Sequence, residues 1–249
     1  MSFLLEAACA SVTDCVEAEA AGADRIELCS ALAVGGLTPS IGLFAAARAR
    51  TRLPIVCMVR PRAGAFAYDE DELETMRRDV EAFRDAGAHG VVFGVLTPQG
   101  AADVERTRDL VERAGPLETV FHRAFDLVTD PEGTLDALAA TGISRILTSG
   151  QAPASLEGAP LIRRLLERAA GRLDILPGGG VRAATVAGLV AATGARGVHL
   201  GPQLLRIDAS GAANPRITFG LPGAPPDQYP SLDAAAVRAV RTALDAIRS

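Results

Sequence analysis

The run Thr119-Val120-Phe121-His122-Arg123-Ala124-Phe125-Asp126 is apolar until it ends in an imidazole, a guanidinium and a carboxylate. His122 exchanges a proton near neutral pH, and Arg123 and Asp126 are suited to orienting it or to tying down the turn. Glu27, in Asp24-Arg25-Ile26-Glu27-Leu28-Cys29, is a second acid or base. Arg60 and Arg62 flank Pro61, and two forked guanidiniums in a stiff loop can grip a carboxylate or phosphate. Ion pairs with Asp69 to Asp71 are the alternative use of both. Gly178, Gly179 and Gly180 follow Leu176-Pro177 and would let backbone N–H groups approach an anion, although a tight turn needs the same residues. Cys9 and Cys29, with His122 and His199, are the ligand types that suit Cu(I) or zinc. None of the compact metal-ligand spacings occurs, and free cysteines also serve as small buried hydrophobes.

Such groups need a scaffold that points them at one place. Short β-rich runs are predicted at 3–8, 24–28, 55–59, 91–96, 118–122, 145–148, 173–176 and 196–200, with helical patterns between them. Capping signals punctuate the helices: Ser11 with Asp14, Thr38-Pro39-Ser40, and Asp130-Pro131-Glu132. Eight strand–helix units in 249 residues predict an α/β chain folded as one (β/α)8 TIM barrel, 1–249, with its chemistry at the C-terminal strand ends. No G-x-G-x-x-G follows an early strand, so there is no nucleotide motif of the doubly wound kind. Residues 202–230 are expected to form a long Gly/Pro-rich loop after strand eight, and 231–248 a final helix.

Side chains alternate along a strand between the barrel axis and the helices. With Ile26 and Leu28 given to the helix layer, Arg25, Glu27 and Cys29 face the axis. By the same parity so do Glu6, Arg60, His122 and His199, while Thr148 and Ser149 add hydroxyls at the end of strand six. Cys9 has the opposite parity to Glu6 unless the chain has already turned. An interior this ionic is either a buried network of Glu6 and Glu27 against Arg25 and Arg60, or a ligand site. Cys15 and Cys57 read as core.

The chain is 49% apolar, enough for a large core, and carries a net charge of −5 without a basic cluster. That balance speaks against nucleic acid and anionic membranes as partners. No apolar run approaches the roughly 18 residues of a membrane helix. Met1-Ser2-Phe3-Leu4-Leu5-Glu6 reads as a first strand rather than a signal peptide. Four cysteines without C-x-x-C spacing fit a reduced, cytoplasmic protein. All 25 basic residues are arginine, so Schiff-base aldolase chemistry and pyridoxal-phosphate catalysis, which need a lysine amine, are excluded.

Several stretches resemble the CutC family, proteins named for copper homeostasis. They are Asp24-Arg25-Ile26-Glu27-Leu28-Cys29, Gly35-Gly36-Leu37-Thr38-Pro39-Ser40, Arg60-Pro61-Arg62 with Gly64, Phe66 and Tyr68, Phe121-His122-Arg123-Ala124-Phe125-Asp126, and Leu147-Thr148-Ser149-Gly150. The resemblance implies a TIM barrel, a cytosolic homo-oligomer, and copper binding or copper tolerance. Its implied copper ligands are cysteines at the ends of the first two strands, here Cys9 and Cys29. The chain departs from the pattern at His199-Leu200-Gly201-Pro202, where relatives carry small hydroxyl residues.

Two functions follow. The resemblance implies a cytosolic copper-homeostasis protein holding Cu(I) through Cys9 and Cys29. The residues themselves point to a lysine-independent enzyme acting on a small phosphorylated or carboxylated metabolite. There His122 or Glu27 would be acid or base, oriented by Arg123 or Asp126. Glu6, Arg25, Arg60, Arg62, Thr148, Ser149, Gly178–Gly180 and His199 would line the anion and ligand site. A barrel that only binds or scaffolds is the third option.

Overall fold

The structure is a computed structural model that describes residues 3–214, 216–217, 223, 225 and 227–247. Eight parallel strands form its centre: β1 (Leu4–Cys9), β2 (Arg25–Leu28), β3 (Ile55–Met58), β4 (Gly90–Phe93), β5 (Glu118–Phe121), β6 (Arg145–Thr148), β7 (Asp174–Pro177) and β8 (Gly197–Leu200). Their order is β7-β6-β5-β4-β3-β2-β1-β8. The seam between β7 and β8 closes through a parallel bridge from Gly178 to His199. This is the expected (β/α)8 TIM barrel. Strands covered on both faces read as continuous apolar runs, and Ile55-Val56-Cys57-Met58 is fully buried in that way.

The helices start where side chains cap them. Ser11 accepts the Asp14 N–H at 3.0 Å ahead of α1 (Val12–Ala20). Ser40 does the same for Leu43 ahead of α2 (Ile41–Arg48). Asp69 and Glu72 form a reciprocal capping box at α3 (Glu70–Asp85), and Asp130 with Pro131 opens α5 (Pro131–Ala139), after α4 (Val104–Ala114). The remaining helices are α6 (Ala159–Ala169), α7 (Ala183–Thr193) and α8 (Ala234–Ala246).

Alternation along the strands makes two apolar layers. Ile26, Leu28, Phe93 and Phe121 pack outward with Phe44 and Phe83 of the helices. Cys29, Val56, Met58, Val92, Val120, Leu147 and Leu176 fill the barrel interior. Beneath that plug, Arg25 pairs with Glu118 at 2.6 Å, and Arg145 pairs with Glu118 and Asp174.

The segment 202–230 departs from the expected loop. β9 (Gln203–Ile207) and β10 (Gln228–Leu232) form an antiparallel hairpin, and residues 215, 218–222, 224 and 226 lie outside the described residues. Buried Asp14 of α1 fastens it, accepting from the Ser231 hydroxyl at 2.7 Å and the Leu232 N–H at 3.0 Å. Ser231 and Leu232 are therefore strand, and α8 begins after its cap, Asp233; residue 248 is also outside the described residues.

Candidate functional site

β1 and β8 run side by side with Glu6 and His199 in register. Glu6 Oε1 lies 2.7 Å from His199 Nδ1, and Oε2 accepts from Arg25 Nε at 2.5 Å. Burial alone would keep Glu6 protonated, but Arg25 and His199 outweigh it and hold its pKa near about 2. With Nδ1 occupied, the ring presents Nε2 to Glu27, whose Oε2 is 3.9 Å away. Burial pushes His199 down, yet Glu27 and Glu6 raise it overall. Burial raises Glu27, and His199 only partly offsets this. Two such neighbours titrate as a pair. Glu27 Oε1 is buried and has no hydrogen-bond partner.

His122 enters from β5. The Ala124 N–H donates to its Nδ1 at 3.1 Å, so the neutral ring carries its proton on Nε2. That Nε2 is buried and unpartnered. Burial, then the charge of Arg60, lowers the His122 pKa to about 3. Phe66 lies against the ring with centroids 4.8 Å apart, and the Arg60 guanidinium lies over the Phe66 ring at 5.1 Å. Just past β4 a Cβ at Gly94 would come 2.5 Å from His122 Nδ1, so only glycine leaves room for the ring. Gly94 was absent from the residues singled out above, although an isolated strand glycine is a signal for such an approach.

These groups open onto one cavity of about 870 Å³, lined among others by Glu27, Met58, Phe66, His122, Arg123, Leu147, Gly179, Gly180 and His199. Gly179 and Gly180 turn with positive φ values of 98° and 68°. A Cβ on Gly179 would meet Arg123 Cζ and Nη1 at 3.4 Å, so the guanidinium lies over the glycine turn. Arg123 is held there by Asp126 at 2.7 Å and by the Ser149 hydroxyl at 2.9 Å.

Several expected roles need correction. Asp126 does not orient His122. It accepts from Ser149 N–H, Ser149 Oγ, Thr148 Oγ1 and the Gln151 N–H, and so ties the end of β6 to the turn after β5. Thr148 and Ser149 thus face Asp126, with Thr148 fully buried. Arg60 donates to the Val34, Gly36 and Gly64 carbonyls, and Arg62 to Glu72 and loop carbonyls. Neither guanidinium is presented as a clamp. Arg25 is spent on Glu6 and Glu118, and Arg60 makes no pair with Glu27. Gly178 bridges to His199 at the seam and donates its N–H to Thr148.

The cysteine pair is also separated. The Cys9 side chain belongs to the outer layer with Cys15 and Cys57, and its thiol donates to the Ala7 carbonyl at 3.7 Å. Cys29 is in the barrel interior and its thiol donates to Glu27 at 3.5 Å. A hydrogen bond with the Cys15 thiol and burial raise the Cys9 pKa well above the usual thiol range; burial and the Glu27 charge do the same for Cys29. Two thiols on opposite faces of the barrel wall, both held protonated, do not fit a shared Cu(I) site. Among the described residues, the group with metal-like spacing is Glu6, Glu27 and His199, whose ligand atoms lie within 4.8 Å of one another. Its Glu6–His199 contact is already a hydrogen bond.

A family model described as the CutC family matches residues 3–203. The chain belongs to the CutC family. A "family protein CutC" of Chromobacterium violaceum is 43% identical over 247 residues, covering 98% of this chain and 99% of its own. The "Copper homeostasis protein cutC homolog" of Homo sapiens is 41% identical over 218 residues, 88% of this chain and 80% of its own. The crystal structure of a CutC protein from Streptococcus agalactiae superposes with a TM-score of 0.75 at 33% identity, covering 80% of this chain and 98% of that one. An aldolase with 14% identity and a TM-score of 0.57, covering 76% and 82%, shares the fold alone. No helix among the described residues of this CutC chain is long and apolar enough to cross a membrane.

Proposed function

We propose that the barrel mouth is an acid–base site for a small anionic metabolite. The observation that carries this reading is a pair of buried, unpartnered polar atoms, Glu27 Oε1 and His122 Nε2, on residues lining one cavity. An orphaned buried acceptor and donor are costly unless a ligand completes them. Glu27 with His199 supplies the acid or base, Glu6 fixes the His199 ring, and His122 donates to the ligand. Arg123, over the Gly179–Gly180 turn, takes the anionic end in place of Arg60 and Arg62. Thermal unfolding with phosphorylated and carboxylated metabolites tests this. A ligand at a hundred times its Kd contributes about 2.7 kcal/mol, which for a chain of this length raises Tm by about 5–10 °C. Glu27→Gln and His122→Ala are expected to lose that shift. No stabilising compound, or a shift that survives in both variants, sinks the reading.

The relatives' names favour a second reading, a copper-homeostasis role, for which we propose Cu(I) as cargo and a cytoplasmic setting. The separation of the thiols makes Cys29, beside Glu27 in the mouth, its main ligand, with Cys9 reached only if the end of β1 turns over. A competition titration of Cu(I) under reducing conditions checks it. Cys29→Ser is expected to lose binding and Cys9→Ser to keep most of it; wild-type affinity in the double variant removes the idea. In either role the chain is proposed to work as a homo-oligomer, with the exposed apolar side chains of Leu205, Ile207 and Tyr229 on the β9–β10 hairpin as the contact.

A further inference from the structure

We infer that the mouth catalyses proton transfer at the carbon beside a carbonyl group, with Glu27 as the base and neutral His122 as the hydrogen-bond donor to the carbonyl oxygen. The inference rests on the reading of the mouth as a site for a small anionic metabolite and names its chemistry.

A carbon acid is difficult to ionise unless the charge that develops on the carbonyl oxygen is stabilised. A lysine imine is one way, and this chain has no lysine. A positioned neutral imidazole is another. His122 is built for that use. Its Nδ1 is occupied by the Ala124 N–H, which puts the proton on Nε2, and Nε2 meets no protein acceptor. Phe66 and Arg60 hold the ring from one side, and the missing side chain at Gly94 gives it room on another. With its pKa near about 3 the ring stays neutral, so it donates without becoming a general acid of the wrong charge.

Glu27 supplies the complementary half. Oε2 is engaged by the Cys29 thiol and faces His199, whereas Oε1 is free to accept. In the step, the C–H bond breaks and its proton goes to Glu27 Oε1. The C–H electron pair becomes the C=C bond, and the carbonyl π pair moves to the oxygen that His122 Nε2–H bonds. Return of the proton to carbon restores the carbonyl, and no oxidant or co-reactant is consumed. Met58, Leu147 and Phe66 give the same space an apolar lining. The substrate class is a small carbonyl compound with a phosphate or carboxylate, the anion lying on Arg123 and the glycine turn.

Proton NMR in D2O follows the exchange, with dihydroxyacetone phosphate and 2-oxobutyrate as anionic probes and dihydroxyacetone as the uncharged control. Binding of each probe is measured in parallel by calorimetry. The expected result is loss of the α-hydrogen signal of an anionic probe at least about 100-fold above the buffer rate, with little effect on dihydroxyacetone. Glu27→Gln and His122→Phe, the second keeping a ring against Phe66, are expected to remove the acceleration. Gly94→Ala should reduce it by displacing the ring while every titratable group stays, and His122→Gln, which keeps a donor, should retain part of it. Unfolding curves for each variant separate these effects from loss of fold. Binding of an anionic probe without exchange overturns the chemistry and leaves the site reading standing. If neither anionic probe binds, both fall; acceleration that survives His122→Phe or Glu27→Gln overturns the assigned roles.

Discussion

Glu6→Gln is expected to lower the unfolding midpoint by about 6–20 °C. Glu6 is 1% exposed and joins Arg25 to His199. Removing one member of a buried ion pair costs about 3–5 kcal/mol, because the partner's charge stays buried, and each kcal/mol shifts Tm by about 2–4 °C at this length. The pH dependence identifies the cause. Glu6 has its pKa lowered to about 2, so its contribution is complete above the ordinary value of 4.5 and is lost as pH falls through about 2. His199 has its pKa raised, so its contribution is complete below 6.5 and is lost as pH rises through the folded value. The gap between wild type and variant should therefore be widest between these limits and narrow on both sides. Calorimetry across pH measures it, and a gap that does not change with pH would point to lost packing instead.

Asp126→Asn has the second large effect, and the two substitutions in the Arg123–Asp126 pair should behave differently. The Asp126 carboxylate accepts from two backbone N–H groups, two hydroxyls and Arg123. An amide turns two donors of its own into that ring of donors and leaves at least one buried group unsatisfied. Hydrogen bonds to a buried charge contribute about 1.5–3 kcal/mol, so Tm should fall by about 3–12 °C. Arg123 is 45% exposed, and its ion pair contributes about 0–1 kcal/mol. Arg123→Ala should thus leave Tm nearly unchanged while weakening any anionic ligand. Thermal unfolding of both variants with and without ligand distinguishes the two roles; equal losses of stability would contradict the hub assigned to Asp126.

The barrel was readable in the sequence because its rules are local. Strand alternation is strict, and the parity that sends Ile26 and Leu28 outward turns Glu27 and His122 toward the cavity and Glu6 toward the axis beside His199. The same rule warned that Cys9 and Cys29 sit on different faces. Partner choice was not readable. The terminal nitrogens of Arg60 donate to carbonyls of Val34, Gly36 and Gly64, and backbone acceptors leave no mark in side-chain identity. Asp126 was expected either to orient His122, four residues earlier, or to tie down the turn; it does the second through Ser149, which a different strand brings near. The β9–β10 hairpin was hidden because Gln203-Leu204-Leu205-Arg206-Ile207, though rich in apolar residues, follows Pro202 within a Gly/Pro-rich stretch that reads as loop.

The seam between β7 and β8 has a bearing on how the protein acquires its chemistry. Glu6 and His199 are 193 positions apart, at opposite ends of the barrel's order of synthesis. Bringing such distant segments together is the entropically expensive step, so their contact belongs to the end of assembly. A chain still emerging, or one cut before β8, has no His199 to pair with Glu6. Ring closure is thus the step that sets His199 between Glu6 and Glu27 and completes the proposed site.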